Sequence, residues 1–162
     1  MKFAITDPEA IELLKREAHE LSETHWAIVK MLLDTGCHPS NIFDVRIEGD
    51  IAYIEHRVKN KKPSWAKVTP GLALAVAIVH SKKRMSREWY SHFVKEAAEA
   101  SEMPWISPQS LRKTYCLQLL TDGYPEAVVA QMMGCGEQLI RSTYSQIAPE
   151  DLMKIVANRK VI

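Results

Sequence analysis

The feature that most constrains the fold is one short stretch of strand-like pattern in a chain otherwise patterned as helix. "FDVRIEGDIAYIEHRV" alternates apolar and polar residues on both sides of Gly49-Asp50, which is typical of a β-hairpin. Its apolar positions are Val45, Ile47, Ile51 and Tyr53, with Ile54 beside them. The lysine-rich "KNKKPS" then leads into a third short strand, "WAKVT". The pattern predicts one small three-stranded antiparallel sheet.

Helical periodicity covers the rest of the chain. Two helices precede the sheet: "DPEAIELLKREAHELS", with Asp7 as N-cap and Pro8 at its first position, and "ETHWAIVKMLLDTG", which Gly36 ends. Six segments follow it: "GLALAVAIVHS", "SREWYSHFVKEAAEAS", "PQSLRKTYCLQLLTDG", "PEAVVAQMMG", "GEQLIRSTYSQI" and "PEDLMKIVANRK". The prediction is a mainly α fold with a small antiparallel β-sheet (α+β), in a single domain over residues 1–162, because no repeat or long linker divides the chain.

Composition excludes several classes of protein. At 46% hydrophobic and 25% charged residues, the sequence is that of an ordinary globular protein. No apolar run approaches the roughly 18 residues that span a bilayer, and the N-terminus lacks a signal-peptide core, so no membrane partner and a cytoplasmic location are expected. Cys37, Cys116 and Cys135 have no CxxC spacing, which predicts reduced thiols and neither a disulfide framework nor a zinc site.

The net charge of +1 means that any nucleic-acid binding must rest on local clusters of basic residues. Three such clusters are "HRVKNKK", "HSKKR" and the pair "RK" in "SLRKTY". Their members are Arg57, Lys59, Lys61, Lys62, Lys82, Lys83, Arg84, Arg112 and Lys113. Acidic residues gather elsewhere, in "DPEAIELLKREAHELSE" and "KEAAEASE". The chain can therefore be polarised despite its near-neutral total, although a charge run can equally be a solvated face.

Three stretches, in order, resemble the catalytic domain of the tyrosine recombinases, or phage integrases. "LLDTGCHPSNIFDVRIEGD" is similar to the "TGxRxSE" helix end, and "SPQSLRKTY" to the "HxLRHT" helix start. "VVAQMMGCGEQLIRSTYSQI" is similar to the "LGH" turn and the helix with the nucleophilic tyrosine. The resemblance runs from about Glu23 to Gln146 and implies the fold of that domain, with double-stranded DNA as partner. We expect no counterpart of the family's N-terminal DNA-clamping domain.

The resemblance assigns roles to six positions, of which three keep the residue type of the family. These are Tyr144 as the nucleophile, Arg112 as the second arginine, and Lys59 as the β-turn lysine, with Lys61 and Lys62 as alternatives. Three positions depart from the pattern. His38 stands where the first arginine is expected, Gln109 where the first histidine is expected, and Cys135 where the last histidine or tryptophan is expected.

The departures bear on the chemistry that the resemblance implies. In that reaction a tyrosine oxygen attacks a DNA phosphodiester, forms a 3′-phosphotyrosyl bond and releases a 5′ hydroxyl, without metal or organic cofactor. Two arginines clamp the phosphate because guanidinium groups are always charged and bidentate. His38 is the most serious departure, since a neutral imidazole brings one donor and no charge. Loss of one transition-state donor typically costs about 10²–10³ in rate.

Gln109 can still donate a hydrogen bond but cannot shuttle a proton, and Cys135 is a weak donor. The sequence thus predicts a recombinase-like protein that binds DNA, is catalytically impaired or inactive, and serves regulation such as repression or excision control. One alternative is an active minimal recombinase with a protonated His38. Another is a helical interaction module that keeps only the scaffold.

Single residues also have plainer interpretations. Tyr144 can be a half-buried helix aromatic, Arg112 a salt-bridging arginine and His38 a loop residue at a helix end. "GCG" at 134–136 is too short for a phosphate loop and is typical of a helix stop.

The final segment, "PEDLMKIVANRKVI", is amphipathic, with Leu152, Ile155 and Val156 on one side. Members of the family pass this helix to a neighbouring subunit, which implies a homo-oligomer on DNA. Packing on its own domain is the alternative.

Overall fold

The computed structural model describes residues 3–55, 63–145, 147–150 and 153, without the side chain of Tyr144. Helices and strands follow in the order α1 Pro8–Leu21, α2 Glu23–Thr35, a 3₁₀ helix Pro39–Asp44, β1 Val45–Glu48, β2 Ile51–Ile54, β3 Ser64–Lys67, α3 Leu72–His80, α4 Arg87–Ala100, α5 Pro108–Thr121, α6 Glu126–Met133 and α7 Glu137–Ser145. This confirms a mainly α fold with a small antiparallel sheet. The last predicted helix, 149–160, lies almost entirely outside the described residues.

The first two helices begin and end where the capping residues predict. The Asp7 carboxylate accepts a hydrogen bond from the backbone N–H of Glu9 at 2.9 Å. Ser22 ends α1 and begins α2: its N–H donates to Ala18, and its hydroxyl accepts from the N–H of His25. Gly36 ends α2 in the left-handed conformation with φ of 63°, which glycine adopts without a Cβ penalty.

The sheet has the order β1-β2-β3, with all neighbours antiparallel. The apolar pattern holds in β1, where Val45 is buried, but in β2 it marks Ile51 and Tyr53, which are not the buried positions. Ala52 and Ile54 are fully buried, whereas Ile51 is exposed and Tyr53 half-buried. Val45 pairs with Ile54, and directly opposite residues share a face, so the register itself places Val45 and Ile54 on the core side.

A 3₁₀ helix between α2 and β1 was not predicted. The alternating pattern predicted a strand from Phe43, but Phe43 and Asp44 belong to this helix, which follows His38 and begins at Pro39. Proline at the first position suits a helical turn because its φ is already fixed. The turn shortens β1 to four residues and places His38 at a helix start.

Helix α2 lies at the centre of the core and packs against α1, α3, α4 and α5. Its most deeply buried side chains are Ile28, Met31, Leu32 and Leu33. The N-terminal segment reaches α5 as well, because the backbone N–H of Ile5 donates to the hydroxyl of Thr114 at 2.8 Å. These contacts hold the start of α5 against the end of α2. None of the helices in the described part of the chain combines the length and the apolar character that a membrane crossing requires.

Candidate functional site

Helix α5 carries Arg112 in its second turn, and a reciprocal cap fixes the start of this helix. The hydroxyl of Ser107 accepts from the N–H of Ser110 at 3.3 Å, and the hydroxyl of Ser110 accepts from the N–H of Ser107 at 3.2 Å. Pro108 occupies the first helical position. The capping box satisfies two N–H groups at once, so the backbone that carries Arg112 is well defined.

The guanidinium of Arg112 bridges the ends of two other helices. It donates to the carbonyl oxygen of Gly36, just after α2, and at 3.2 Å to that of Met133, the last residue of α6. Helix C-termini carry partial negative charge, which favours a cation there. Among the described residues, the hydrogen-bond partners of Arg112 are thus main-chain carbonyls, and none of them is the carboxylate that a salt-bridging arginine would have.

Two cavities meet at Arg112. The α7-side cavity has a volume of about 170 Å³ and is lined by Gln109, Arg112, Lys113, Cys116, Met133, Cys135, Leu139, Ile140, Ser142 and Thr143. The α4-side cavity has a volume of about 480 Å³ and is lined by Cys37, His38, Pro39, Arg87, Ser91, Ser107, Pro108, Gln109 and Arg112. Gln109 and Arg112 line both. The structure therefore brings together four of the positions that the sequence selected: His38, Gln109, Arg112 and Cys135.

His38 is exposed and caps the 3₁₀ helix. Its Nδ1 accepts the N–H of Ser40 at 3.2 Å and lies 2.8 Å from the hydroxyl of Ser40. Nδ1 of His38 is thus engaged as the acceptor of this cap, so a proton on Nδ1 would cost the hydrogen bond from the N–H of Ser40. The structure thus places His38 at a helix end, as its plainer interpretation predicts.

The "GCG" turn is a helix stop, as predicted. Gly134 ends α6 with φ of 67°, and the N–H of Cys135 donates back to the carbonyl of Ala130 at 2.9 Å. Cys135 is half-buried in the wall of the α7-side cavity.

Cys37, Cys116 and Cys135 form no disulfide in the described part of the chain. Burial raises the pKa of Cys37 to about 11, against the lowering effect of a hydrogen bond with Thr35 and of the charge on Arg112. Burial also raises the pKa of Cys116 to about 11. Both buried thiols are therefore protonated near neutral pH.

Tyr144 belongs to α7, and the two residues before it, Ser142 and Thr143, line the α7-side cavity. Thr143 is nearly buried, and its hydroxyl donates to the carbonyl of Leu139 at 3.0 Å. The helix that carries Tyr144 therefore forms one wall of the cavity that Arg112 lines. The side chain of Tyr144 and the predicted β-turn residues lie outside the described residues; the latter are Arg57, Lys59, Lys61 and Lys62.

The "HSKKR" cluster lies on the exposed turn between α3 and α4. Lys82 and Lys83 are exposed there, whereas Arg84 is engaged within the protein. Its two terminal nitrogens donate to the carboxylate of Asp44 at 3.0 and 2.5 Å, and its guanidinium lies over the ring of Phe43. The hydrogen bond with Asp44 raises the pKa of Arg84. Arg84 thus fastens this turn to the 3₁₀ helix.

One site residue was missed by the sequence analysis. Arg87, the first residue of α4, lines the α4-side cavity with His38 and Arg112. A local signal for this residue was present in the sequence. Ser86 is a favourable N-cap, which places Arg87 at the first position of a helix, three residues after the end of "HSKKR". Among the residues that the structure describes, no group of three or more His, Cys, Asp or Glu could hold a metal ion.

No protein-family model and no curated protein matches the sequence. Solved structures do match. The crystal structure of XerA recombinase superposes on 100% of this chain and 66% of its own, with a TM-score of 0.79 at 14% identity. XerH site-specific recombinase in a post-cleavage complex with a palindromic difH substrate covers 96% of this chain and 53% of its own (TM-score 0.67, 10% identity).

A third match is the Tn1549 transposon integrase in complex with transposon right end DNA, over 94% of this chain and 64% of its own (TM-score 0.67, 14% identity). The chain thus spans about half to two thirds of the length of these three structures. At such identities the similarity establishes the fold: the chain has the fold of a tyrosine-recombinase catalytic domain.

Proposed function

We propose that this chain binds double-stranded DNA through its phosphates and that its cleavage chemistry is impaired or lost. The observation that carries the proposal is the position of Arg112, fixed by two main-chain carbonyls at the junction of two cavities. These two hydrogen bonds use one N–H on each terminal nitrogen, and a guanidinium has five N–H donors. Because these hydrogen bonds already orient the guanidinium, the Arg112 side chain loses little further conformational freedom when it binds a phosphate.

The residues around Arg112 favour binding over cleavage. The Nδ1 of His38 is engaged by the N–H of Ser40, and an imidazole lacks the permanent charge and the bidentate donors of an arginine. Gln109 is an amide, which cannot cycle a proton, and Cys135 is a weak donor. Each missing transition-state donor typically costs about 10²–10³ in rate, so efficient cleavage would require compensation for several losses.

The solved structures support DNA as the partner. The XerH structure is a complex with a difH substrate, and the Tn1549 integrase structure is a complex with transposon end DNA. A chain with their fold that keeps Arg112 but has His38, Gln109 and Cys135 at three positions of the catalytic pattern fits a regulatory DNA-binding role, such as repression or control of excision.

The test is duplex binding by the purified chain at about 50 mM salt, where phosphate contacts are strongest, with DNA from the flanks of its own gene. We expect an affinity that falls steeply with salt and is lost in Arg112→Glu. Arg16→Glu, an exposed position on α1 outside both cavities, is the control. Absence of duplex binding by the unaltered chain contradicts the proposal, and unchanged binding by Arg112→Glu favours an interaction module instead.

A strand-cleaving enzyme is the second candidate. The observation in its favour is that Ser142 and Thr143, next to Tyr144, line the same cavity as Arg112. In such an enzyme the Tyr144 oxygen attacks phosphorus, the bond to the 5′ oxygen breaks, and that oxygen takes up a proton. A suicide duplex should then trap a covalent adduct that Tyr144→Phe abolishes. No adduct on a duplex that the chain binds excludes this candidate.

We also propose that the chain forms a homo-oligomer on DNA through its C-terminal segment. The support is the apolar spacing of Leu152, Ile155 and Val156. Sedimentation of the protein–DNA complex should show more than one copy, and serine at these three positions should leave a single copy bound. One copy in both cases contradicts this proposal.

A further inference from the structure

We infer that Arg87 supplies a second guanidinium to the phosphate site, in the role that His38 does not fill. The inference rests on the proposed DNA-binding function and assigns it a residue on a different element of the fold. The resemblance gives no role to this position. What points to Arg87 is its place in the wall of the α4-side cavity, together with Arg112 and His38.

The position of Arg87 is set by a well-formed helix start. The hydroxyl of Ser86 accepts the N–H of Trp89 at 3.2 Å, so α4 begins at Arg87. One turn later, the hydroxyl of Ser91 donates to the carbonyl of Arg87 at 2.9 Å. Helix α4 packs against both α2 and the 3₁₀ helix. The starts of α4 and α5 therefore face the same cavity, and each brings an arginine to it.

The charges around the α4-side cavity favour an anion. Among the described residues that line it, Arg87 and Arg112 are cationic and none carries a carboxylate. Arg87 forms an ion pair with its neighbour Glu88 at 3.5 Å, and the two side chains are 59% and 74% exposed. Such an exposed pair holds its members weakly. Arg87 can thus exchange this contact for a phosphate at little cost.

Arg84 gives the contrast within the same part of the chain. Both of its terminal nitrogens are bound by the carboxylate of Asp44, and it lines neither cavity. Of the two arginines that flank Ser86, Arg87 is the one that reaches the site. The ligand class is a phosphodiester of the DNA backbone, whose two non-bridging oxygens can each accept hydrogen bonds from one guanidinium.

The first experiment measures duplex affinity and its salt dependence for Arg87→Ala, Arg87→Lys and the control Arg16→Ala. A charge-assisted hydrogen bond corresponds to about 10- to 100-fold in affinity, and this is the loss expected for Arg87→Ala. The slope of log affinity against log salt should fall by about 0.9, the value for one phosphate. Arg87→Lys should keep the slope and lose less affinity. Thermal unfolding by circular dichroism verifies that each variant is folded.

The second experiment asks whether Arg87 and Arg112 hold the same phosphate. Duplexes with a single neutral methylphosphonate are scanned along the bound site. At one position the neutral linkage should weaken duplex binding by the unaltered chain. On that same duplex, Arg87→Ala or Arg112→Ala should cause little additional loss of affinity, because the phosphate charge that each arginine contacts is already absent. If the two arginines respond to different positions, the shared clamp is wrong.

Unchanged affinity and salt slope in Arg87→Ala, with binding still lost in Arg112→Glu, overturns the inference and leaves the proposed function standing. Failure of the unaltered chain to bind any duplex overturns both.

Discussion

The guanidinium of Arg112 donates a hydrogen bond to the carbonyl oxygen of Gly36, 76 positions earlier in the chain. This contact joins the end of α2 to the second turn of α5 and orients the charged group between the two cavities. Gly36 has two roles here. Its carbonyl oxygen accepts the hydrogen bond from Arg112, and its lack of a side chain lets the ring of Tyr115 on α5 pack against it. An added Cβ at Gly36 would lie 2.2 Å from Cδ2 of Tyr115.

Gly36→Ala should therefore be strongly destabilising. The left-handed φ of 63° costs about 1 kcal/mol for alanine, and displacement of the Tyr115 ring adds about 1 to 3 kcal/mol. Gly49→Ala is the matched control, because Gly49 has a φ of 61° and nothing within 4 Å of the added Cβ. Urea unfolding should show a loss of about 3 kcal/mol for the first and about 1 kcal/mol for the second. Equal losses would mean that the contact with Tyr115 is easily relieved.

Arg112→Met should lower the free energy of unfolding by about 2 to 4 kcal/mol, because two carbonyls at helix ends lose a charged donor. Arg112→Lys, which can reach one carbonyl, should lie between Arg112→Met and the unaltered chain. Urea unfolding at neutral pH measures both. If Arg112→Met is as stable as the unaltered chain, the arginine does not hold the helix ends together.

His38→Ala should lower stability by about 1 kcal/mol, because Ser40 loses its capping acceptor. His38→Asn should restore most of this, since asparagine caps well. His38→Arg removes the cap but adds a cation beside Arg87 and Arg112, so it should bind duplex DNA more tightly than the unaltered chain while being less stable. Fluorescence anisotropy and thermal unfolding separate the two effects. Weaker binding by His38→Arg would place the phosphate away from this cavity.

Cys37 should make stability fall at alkaline pH. Its folded pKa of about 11 lies above the ordinary value of 9.0 because the thiol is buried. Between pH 9 and 11 the unfolded chain loses this proton while the folded chain keeps it, so the free energy of unfolding decreases as pH rises. A pKa difference of this size corresponds to about 3 kcal/mol at most. Urea unfolding at pH 8 and 10.5 should show a smaller decrease in Cys37→Ala than in the unaltered chain; equal decreases would rule out Cys37 as a source.

Local sequence signals were enough to predict the α-helices and strands that the structure describes, but not the 3₁₀ helix at Pro39–Asp44. Capping by Asp7, the stop at Gly36 and the turn at Gly49-Asp50 depend on residues close in sequence, and the structure confirms all three. In β2 the alternation pointed to Ile51 and Tyr53, whereas the buried face carries the small Ala52 together with Ile54. At these positions hydrophobicity alone does not show which face of β2 is buried, whereas the pairing of Ile54 with Val45 does.

The candidate site was predictable only in part. Arg112, His38, Gln109 and Cys135 were selected by their similarity to motifs, and the structure brings them to adjoining cavities. The partners of Arg112 were not predictable, since main-chain carbonyls of remote helix ends leave no mark in the sequence. Arg87 was missed for a related reason: a single arginine at a helix start becomes significant only when tertiary packing sets it opposite α5.

The hydrogen bond from Ile5 to Thr114 has a consequence for how the chain acquires this site. It spans 109 positions, and contacts of such long range slow folding because the intervening chain must be ordered first. During synthesis the N–H of Ile5 cannot make this bond until α5 has been made, and Arg112 cannot bond to the carbonyl of Met133 until α6 has been made. A chain arrested before α6 would already contain every residue that lines the α4-side cavity, but Arg112 would lack the carbonyl of Met133 that helps to orient its guanidinium.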